Sequence, residues 1–175
     1  LSRIVIMVLV IAYGGLLALN PEKYKPRWTV YSWVLVLFVA LSFLSSLVGL
    51  DFYNSFWSSV ERGEGLVLWL FLLAFFVCLI GILKTHKDWL AFFDVALIFT
   101  GLLGAYGLGE YLGLSGFYHS GQSRIAATLG NPAFLAGYLL FGVAFAVYCW
   151  QYRTKWWQRT WYGLLIALFA FVLFQ

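Results

Sequence analysis

The feature that most limits what this chain can become is a succession of long apolar runs. Residues 3–19, 30–50, 66–83, 90–108 and 132–150 are runs of this kind, and another begins near Trp161. A run of about 18 or more apolar residues is long enough to cross a bilayer as a helix. Inside hydrocarbon every backbone N–H and C=O must find its partner within the protein, which leaves helices or closed barrels. Barrel strands alternate apolar and polar residues over about 10 positions, and these runs are longer and do not alternate. Charge supports the helical choice: 10% of the residues are charged, against about 25% in a soluble domain. The expected fold is all-α, a polytopic membrane helical bundle of about six transmembrane helices. Residues 1–175 are expected to form a single transmembrane domain. The chain opens on Leu1 and stops at Gln175 inside an apolar run, which suggests a fragment of a longer protein with its last span cut short.

The loops between the runs differ in charge. The segments after the first, third and fifth runs hold eight of the eleven Lys and Arg residues: Lys23, Lys25 and Arg27, then Lys84 and Lys87, then Arg153, Lys155 and Arg159. The segments after the second and fourth runs hold one each, Arg62 and Arg124. Lys and Arg accumulate on the cytoplasmic side of membrane proteins. The basic loops are therefore expected in the cytoplasm, with loops 51–65 and 110–130 on the external or periplasmic face of a cytoplasmic (inner) membrane. Trp28, Tyr31, Trp33, Trp89 and the Trp156–Trp157 pair sit at run ends, where amphipathic rings favour the membrane interface. A net charge of +4 spread over membrane loops gives no reason to expect nucleic acid as a partner.

Within the runs the polar residues are few. Ser42, Ser45, Ser46 and Gly49 share a helical face and suit close helix contact or a polar path. Gly101, Gly104 and Gly107 recur every third residue as a packing seam, and the later glycines Gly109, Gly113, Gly116 and Gly121 are expected in a flexible or re-entrant loop with Glu110. Asp94 lies near the start of its run, where a carboxylate either reaches headgroups or a lysine or else serves as a buried functional group. Cys78 and Cys149 fall in apolar runs and behave as small hydrophobes. No GxxxxGK[ST] loop, HExxH or metal-ligand spacing occurs, so no metal site is expected.

The two outer loops hold the remaining candidates. Glu61, Arg62 and Glu64 precede an apolar helix, either as an acidic helix start with a local ion pair or, beside Phe56 and Trp57, as a surface for a sugar. Arg124 precedes Gly130, Asn131 and Pro132, and Asn followed by Pro opens a helix: Asn caps free amides and Pro fits the first turn. An arginine there is either a headgroup anchor or a bidentate contact for a phosphate oxygen pair, with the positive end of the helix behind the same anion. His119 is either a base near neutral pH or a solvated loop residue.

The stretch 124–140 resembles the motif of the O-antigen ligase and polymerase family of bacterial membrane glycosyltransferases. That motif reads Arg, two variable residues, Gly-Thr-Phe-Gly-Asn-Pro-Asn, then Leu-Ala and Tyr-Leu. Arg124, Thr128, Gly130, Asn131, Pro132, Leu135, Ala136, Tyr138 and Leu139 match it, while Ala127, Leu129 and Ala133 stand where Gly, Phe and Asn are usual. Residues 55–65 resemble a second stretch found in many members. The resemblance implies transfer or polymerisation of a polyprenyl-diphosphate-linked glycan at the outer face of the cytoplasmic membrane, in lipopolysaccharide or other cell-envelope polysaccharide biosynthesis. The acceptor would be a lipid A core sugar, another glycan or a protein hydroxyl, and no cofactor would be needed. Arg124 and Arg62 would bind the diphosphate, with Glu61 and Glu64 beside them and Asn131, Pro132 and Gly130 shaping the site. The catalytic base of such enzymes is a His in a large outer loop beyond this region, so that role does not pass to His119. Two other classes remain open from the sequence: a transporter or flippase for a lipid-linked or anionic solute, and a non-catalytic membrane scaffold.

Overall fold

A computed structural model describes residues 2–58, 65–114 and 124–175. Among them all regular structure is helical: α1 (Ser2–Leu19), α2 (Pro21–Tyr24), α3 (Val30–Val48), α4 (Phe52–Trp57), α5 (Leu66–Ile82), α6 (His86–Tyr111), α7 (Pro132–Tyr152) and α8 (Trp156–Phe174), with one 3-10 turn at Ala127–Leu129. Four of these, α3, α6, α7 and α8, are long and apolar enough to cross a membrane. Helix α5 has 17 residues and no charged side chain, a length at the lower end of what spans a bilayer. The chain is an all-α membrane protein. Large apolar side chains such as Ile11, Phe99 and Phe141 stand exposed along the helices, as lipid-facing residues should.

Helix α6 is longer than its apolar run. It takes in Lys87 and Asp88 at its start and Gly109 and Glu110 at its end, so Glu110 belongs to the last helical turn and not to the expected loop. Asp88 in the first turn suits the positive end of the helix dipole, which helps the helix begin early. Helix α8 likewise starts at Trp156, ahead of the expected Trp161. Asn20-Pro21 ends α1 as expected, yet it also opens the short α2, with Pro21 at a position where no amide is required.

The helices group into two compact units, Leu1–Thr85 and His86–Gln175. In the first, α1 and α3 pack on α5. Tyr13 is buried against Gly81, where any Cβ would overlap the phenol ring, and its hydroxyl donates to the Tyr24 carbonyl at 2.8 Å. The two basic loops of this unit meet: Arg27 donates to the Lys84 carbonyl at 3.3 Å, and the Lys84 ammonium donates to the Lys25 carbonyl. The ends of α1 and α5 therefore lie together, with α3 running the other way from a Thr29 cap that accepts from the Ser32 amide. Of the serine face on α3 only Ser46 is buried. Ser42 and Ser46 donate to the carbonyls of Phe38 and Ser42 at 2.8 and 2.9 Å, so their polarity is spent on their own helix and no polar path results.

The second unit is an up-down-up group in which α7 runs antiparallel to α6 and α8. Its packing follows from the glycine seam. A Cβ at Gly101 would lie 3.1 Å from Leu165, one at Gly104 3.2 Å from the Phe169 ring, and one at Gly107 3.2 Å from Val172. Glycines at i, i+3 and i+6 thus receive side chains at i, i+4 and i+7 of the facing helix. Gly142 of α7 admits the same Phe169 from the other side, at 3.0 Å, and Phe169 is fully buried. In lipid there is no water to expel between helices, so such close packing is itself the main attraction.

At the α7–α8 turn, Asp94 is paired with Arg153 and accepts the Tyr162 hydroxyl at 2.6 Å. The sequence suggested a headgroup or lysine partner for Asp94, or a free functional carboxylate. The actual partners come from the ends of two other helices, because α7 runs antiparallel to α6 and α8 runs parallel to it, which brings the end of α7 and the start of α8 to the start of α6. Burial works against the Arg153 charge, but Asp94 and then Tyr162 outweigh it and raise its pKa above the usual value. Arg153 therefore stays charged and locks the three helices together at one end. Cys78 and Cys149 are buried and free, as small apolar residues would be.

Candidate functional site

The opposite end of the second unit carries the sequence candidates. Arg124 enters an irregular segment in which Ile125, Ala126 and Ala127 are buried. Ile125 can approach because Gly107 has no side chain: a Cβ there would lie 3.1 Å from it. Two residues of the segment adopt positive φ, Ala127 at 47° and Gly130 at 70°. Gly takes that conformation freely, whereas an alanine in it costs roughly 1–2 kcal/mol.

What holds Ala127 there is Glu110. Its Oε2 accepts the Ala127 amide at 2.7 Å, and that amide is the first of the 3-10 turn, a donor without a partner inside the turn. A hydrogen bond to a charged group contributes about 1.5–3 kcal/mol, enough to offset the backbone strain. Glu110 is 8% exposed. Sequence spacing placed it in a loop and assigned it no role, because nothing local shows that a carboxylate in the last turn of one helix meets an amide 17 residues later.

Past Gly130 the chain enters α7 in the expected manner. Asn131 Oδ1 accepts the Ala133 amide at 2.8 Å, Pro132 occupies the first turn, and the Asn131 carbonyl accepts the Phe134 and Leu135 amides, each at 3.1 Å. These bonds use up the first amides of α7. The helix can offer an anion its dipole but not the free N–H groups that a helix start usually presents. Asn131, Pro132 and Gly130 are thus structural.

Arg124 itself is exposed and, among the described residues, has no hydrogen-bond or ion-pair partner. It lines a cleft of about 290 Å³ together with Pro132, Ala133, Leu139, Val172 and Phe174. The cleft has both polar and apolar surface, with Arg124 and Gln175 beside the aliphatic side chains of Ile125, Leu135, Leu139 and Val172. A guanidinium without a partner among the described residues, beside aliphatic side chains, suits an amphiphile with an anionic head and a hydrocarbon tail, since the fork binds paired oxygens and the aliphatic surface tolerates lipid.

Glu61, Arg62 and Glu64 lie outside the described residues, as do His119 and the rest of 115–123. Asp51 caps α4 by accepting the Asn54 amide at 3.0 Å, and Gly65 packs against the Phe56 carbonyl so tightly that any Cβ would overlap it. Phe56 and Trp57 line an apolar pocket with Met7, Ile11, Val67 and Phe71. Among the described residues their surroundings are apolar.

No protein-family model, curated protein or solved structure matches the chain.

Proposed function

We propose that this chain is the membrane-embedded part of a glycosyltransferase of the O-antigen ligase and polymerase type. It would move a glycan from a polyprenyl-diphosphate carrier to an acceptor hydroxyl at the outer face of the cytoplasmic membrane. The observation that carries the proposal is the environment of Arg124, which has no partner among the described residues and lines a cleft with aliphatic side chains, next to a capped helix start. Backbone conformation adds support. The family motif has Gly at the positions of Ala127 and Gly130, and those two positions have positive φ in this segment. A motif that resembled the family by chance would have no reason to put its glycines where the backbone favours them.

In the proposed reaction the acceptor oxygen attacks the anomeric carbon, and the bond from that carbon to the carrier diphosphate breaks. Negative charge grows on the departing diphosphate, and a fixed cation beside it stabilises the transition state more than the ground state. Arg124 supplies that cation, and Arg62 is a second candidate. The acceptor's proton goes to a base that the resemblance puts in a later outer loop, outside this chain.

The test is glycan transfer by the intact protein, purified and given a lipid-linked glycan and an acceptor. Arg124→Ala should lower kcat by about 100-fold or more, the loss typical of one electrostatic donor to a developing anion, while membrane insertion stays normal. Arg124→Lys should recover little, because an ammonium cannot fork onto two oxygens. Normal transfer by a well-expressed Arg124→Ala protein rules out the assignment. Movement of the lipid-linked glycan across the bilayer without covalent product would instead point to a transporter.

A further inference from the structure

Two features of Glu110 go against its own stability. The residue is buried, and removing a carboxylate from water is costly unless it is well bonded. It also stands in the last turn of α6, where the helix dipole disfavours an anion. A neutral residue would end this helix more easily. What the carboxylate does here is accept the Ala127 amide across 17 residues of sequence. That amide belongs to a residue at φ 47°, three positions after Arg124 and within a segment whose Ile125 and Ala126 are also buried. The guanidinium of Arg124 hangs from the exposed start of this anchored segment and makes no bond of its own among the described residues. Its place at the cleft therefore depends on the backbone behind it, and among the described residues Glu110 is the side chain that bonds to that backbone.

We infer that Glu110 is a positioning residue for the Arg124 anion site: its buried carboxylate fixes the strained 125–129 segment and so holds Arg124 over the cleft. Glu110 does not touch the anion, and its charge would repel one. It acts through Arg124, and the inference rests on the proposal that Arg124 contacts a diphosphate.

Three substitutions separate reach from charge. Glu110→Gln keeps an oxygen at the same distance, Glu110→Asp keeps the charge but draws it back by one methylene, and Glu110→Ala removes both. Two readouts apply to the purified intact protein in detergent: amide hydrogen exchange in the peptide covering 124–131, and affinity for geranyl diphosphate, a short prenyl diphosphate. The expected pattern is faster exchange and about tenfold weaker binding for Glu110→Ala and Glu110→Asp, with Glu110→Gln close to the native protein. Should Glu110→Ala fail to fold, Glu110→Asp against Glu110→Gln gives the same comparison. Unchanged exchange in both Glu110→Asp and Glu110→Ala would overturn the inference. So would faster exchange without loss of affinity, provided Arg124→Ala does lose affinity, because Glu110 would then be structural only. Native affinity in Arg124→Ala would remove the anion site itself, and the positioning role with it.

Discussion

At the scale of single residues, the outer segment of the second unit is a balance between strain and restraint. Ala127 sits at φ 47° and Gly130 at φ 70°, but only the second is a glycine. Ala127→Gly should remove a steric cost of roughly 1–2 kcal/mol at the expense of about 0.5–1 kcal/mol of chain entropy. The variant should therefore be as stable as the native protein or slightly more stable in thermal unfolding in detergent. Gly130→Ala has room for its Cβ and should still lose about 1 kcal/mol, through backbone conformation alone. Ala127→Val should be worse than either, because a β-branched residue rarely adopts positive φ. A clear loss of stability in Ala127→Gly would show that the backbone at 127 is not left-handed. The sequence contained half of this: glycine at 130 and a departure from glycine at 127 were visible, but the partner that makes the departure bearable, Glu110, was not.

At the scale of elements, periodicity revealed the helices and one of their contact faces. Gly101, Gly104 and Gly107 repeat every third residue, which is readable as a seam without any partner in view. That Leu165, Phe169 and Val172 fill it was not readable, since every face of α8 carries apolar residues that would fit. The Asp94–Arg153–Tyr162 cluster was hidden for a similar reason: its members are up to 68 residues apart and only the packing of the three helices joins them. Hydropathy does not mark the ends of α6, because Asp88 favours an early start and the partner of Glu110, the Ala127 amide, lies 17 residues away in sequence. The seam can be tested with an internal control. Gly104→Ala pushes a methyl against the Phe169 ring, and Gly142→Ala pushes one into the Thr100 methyl group as well as Phe169; overpacking of this kind costs about 1–3 kcal/mol. Gly137→Ala lies on the same helix as Gly142 with nothing within 4 Å of the new methyl. It should be neutral or gain up to about 1 kcal/mol from helix propensity. Equal effects at positions 104 and 137 would mean that the seam does not carry the α6–α8 packing.

At the scale of the whole molecule, the transferase proposal depends on which face of the membrane Arg124 occupies. Within the first unit Lys25, Arg27 and Lys84 gather at one end, with Asp51 and α4 at the other. Within the second, Arg153 and the neighbouring Lys155 and Arg159 lie at the opposite end of the helices from Arg124. Such separation is what the positive-inside bias acts on, and the transferase proposal takes the Arg124 end to be the outer one. Single cysteines at exposed positions can report this directly, because Cys78 and Cys149 are buried and should stay silent towards a membrane-impermeant maleimide. In intact cells the reagent should label Ser55→Cys and Leu129→Cys, and it should reach Lys25→Cys and Lys155→Cys only after the membrane is opened. The reverse pattern would leave the helical packing and the Arg124 cleft untouched but would turn the cleft towards the cytoplasm. A glycan already carried to the outer leaflet could not then be its substrate, and the cleft would have to serve a lipid diphosphate on the side where such carriers are loaded.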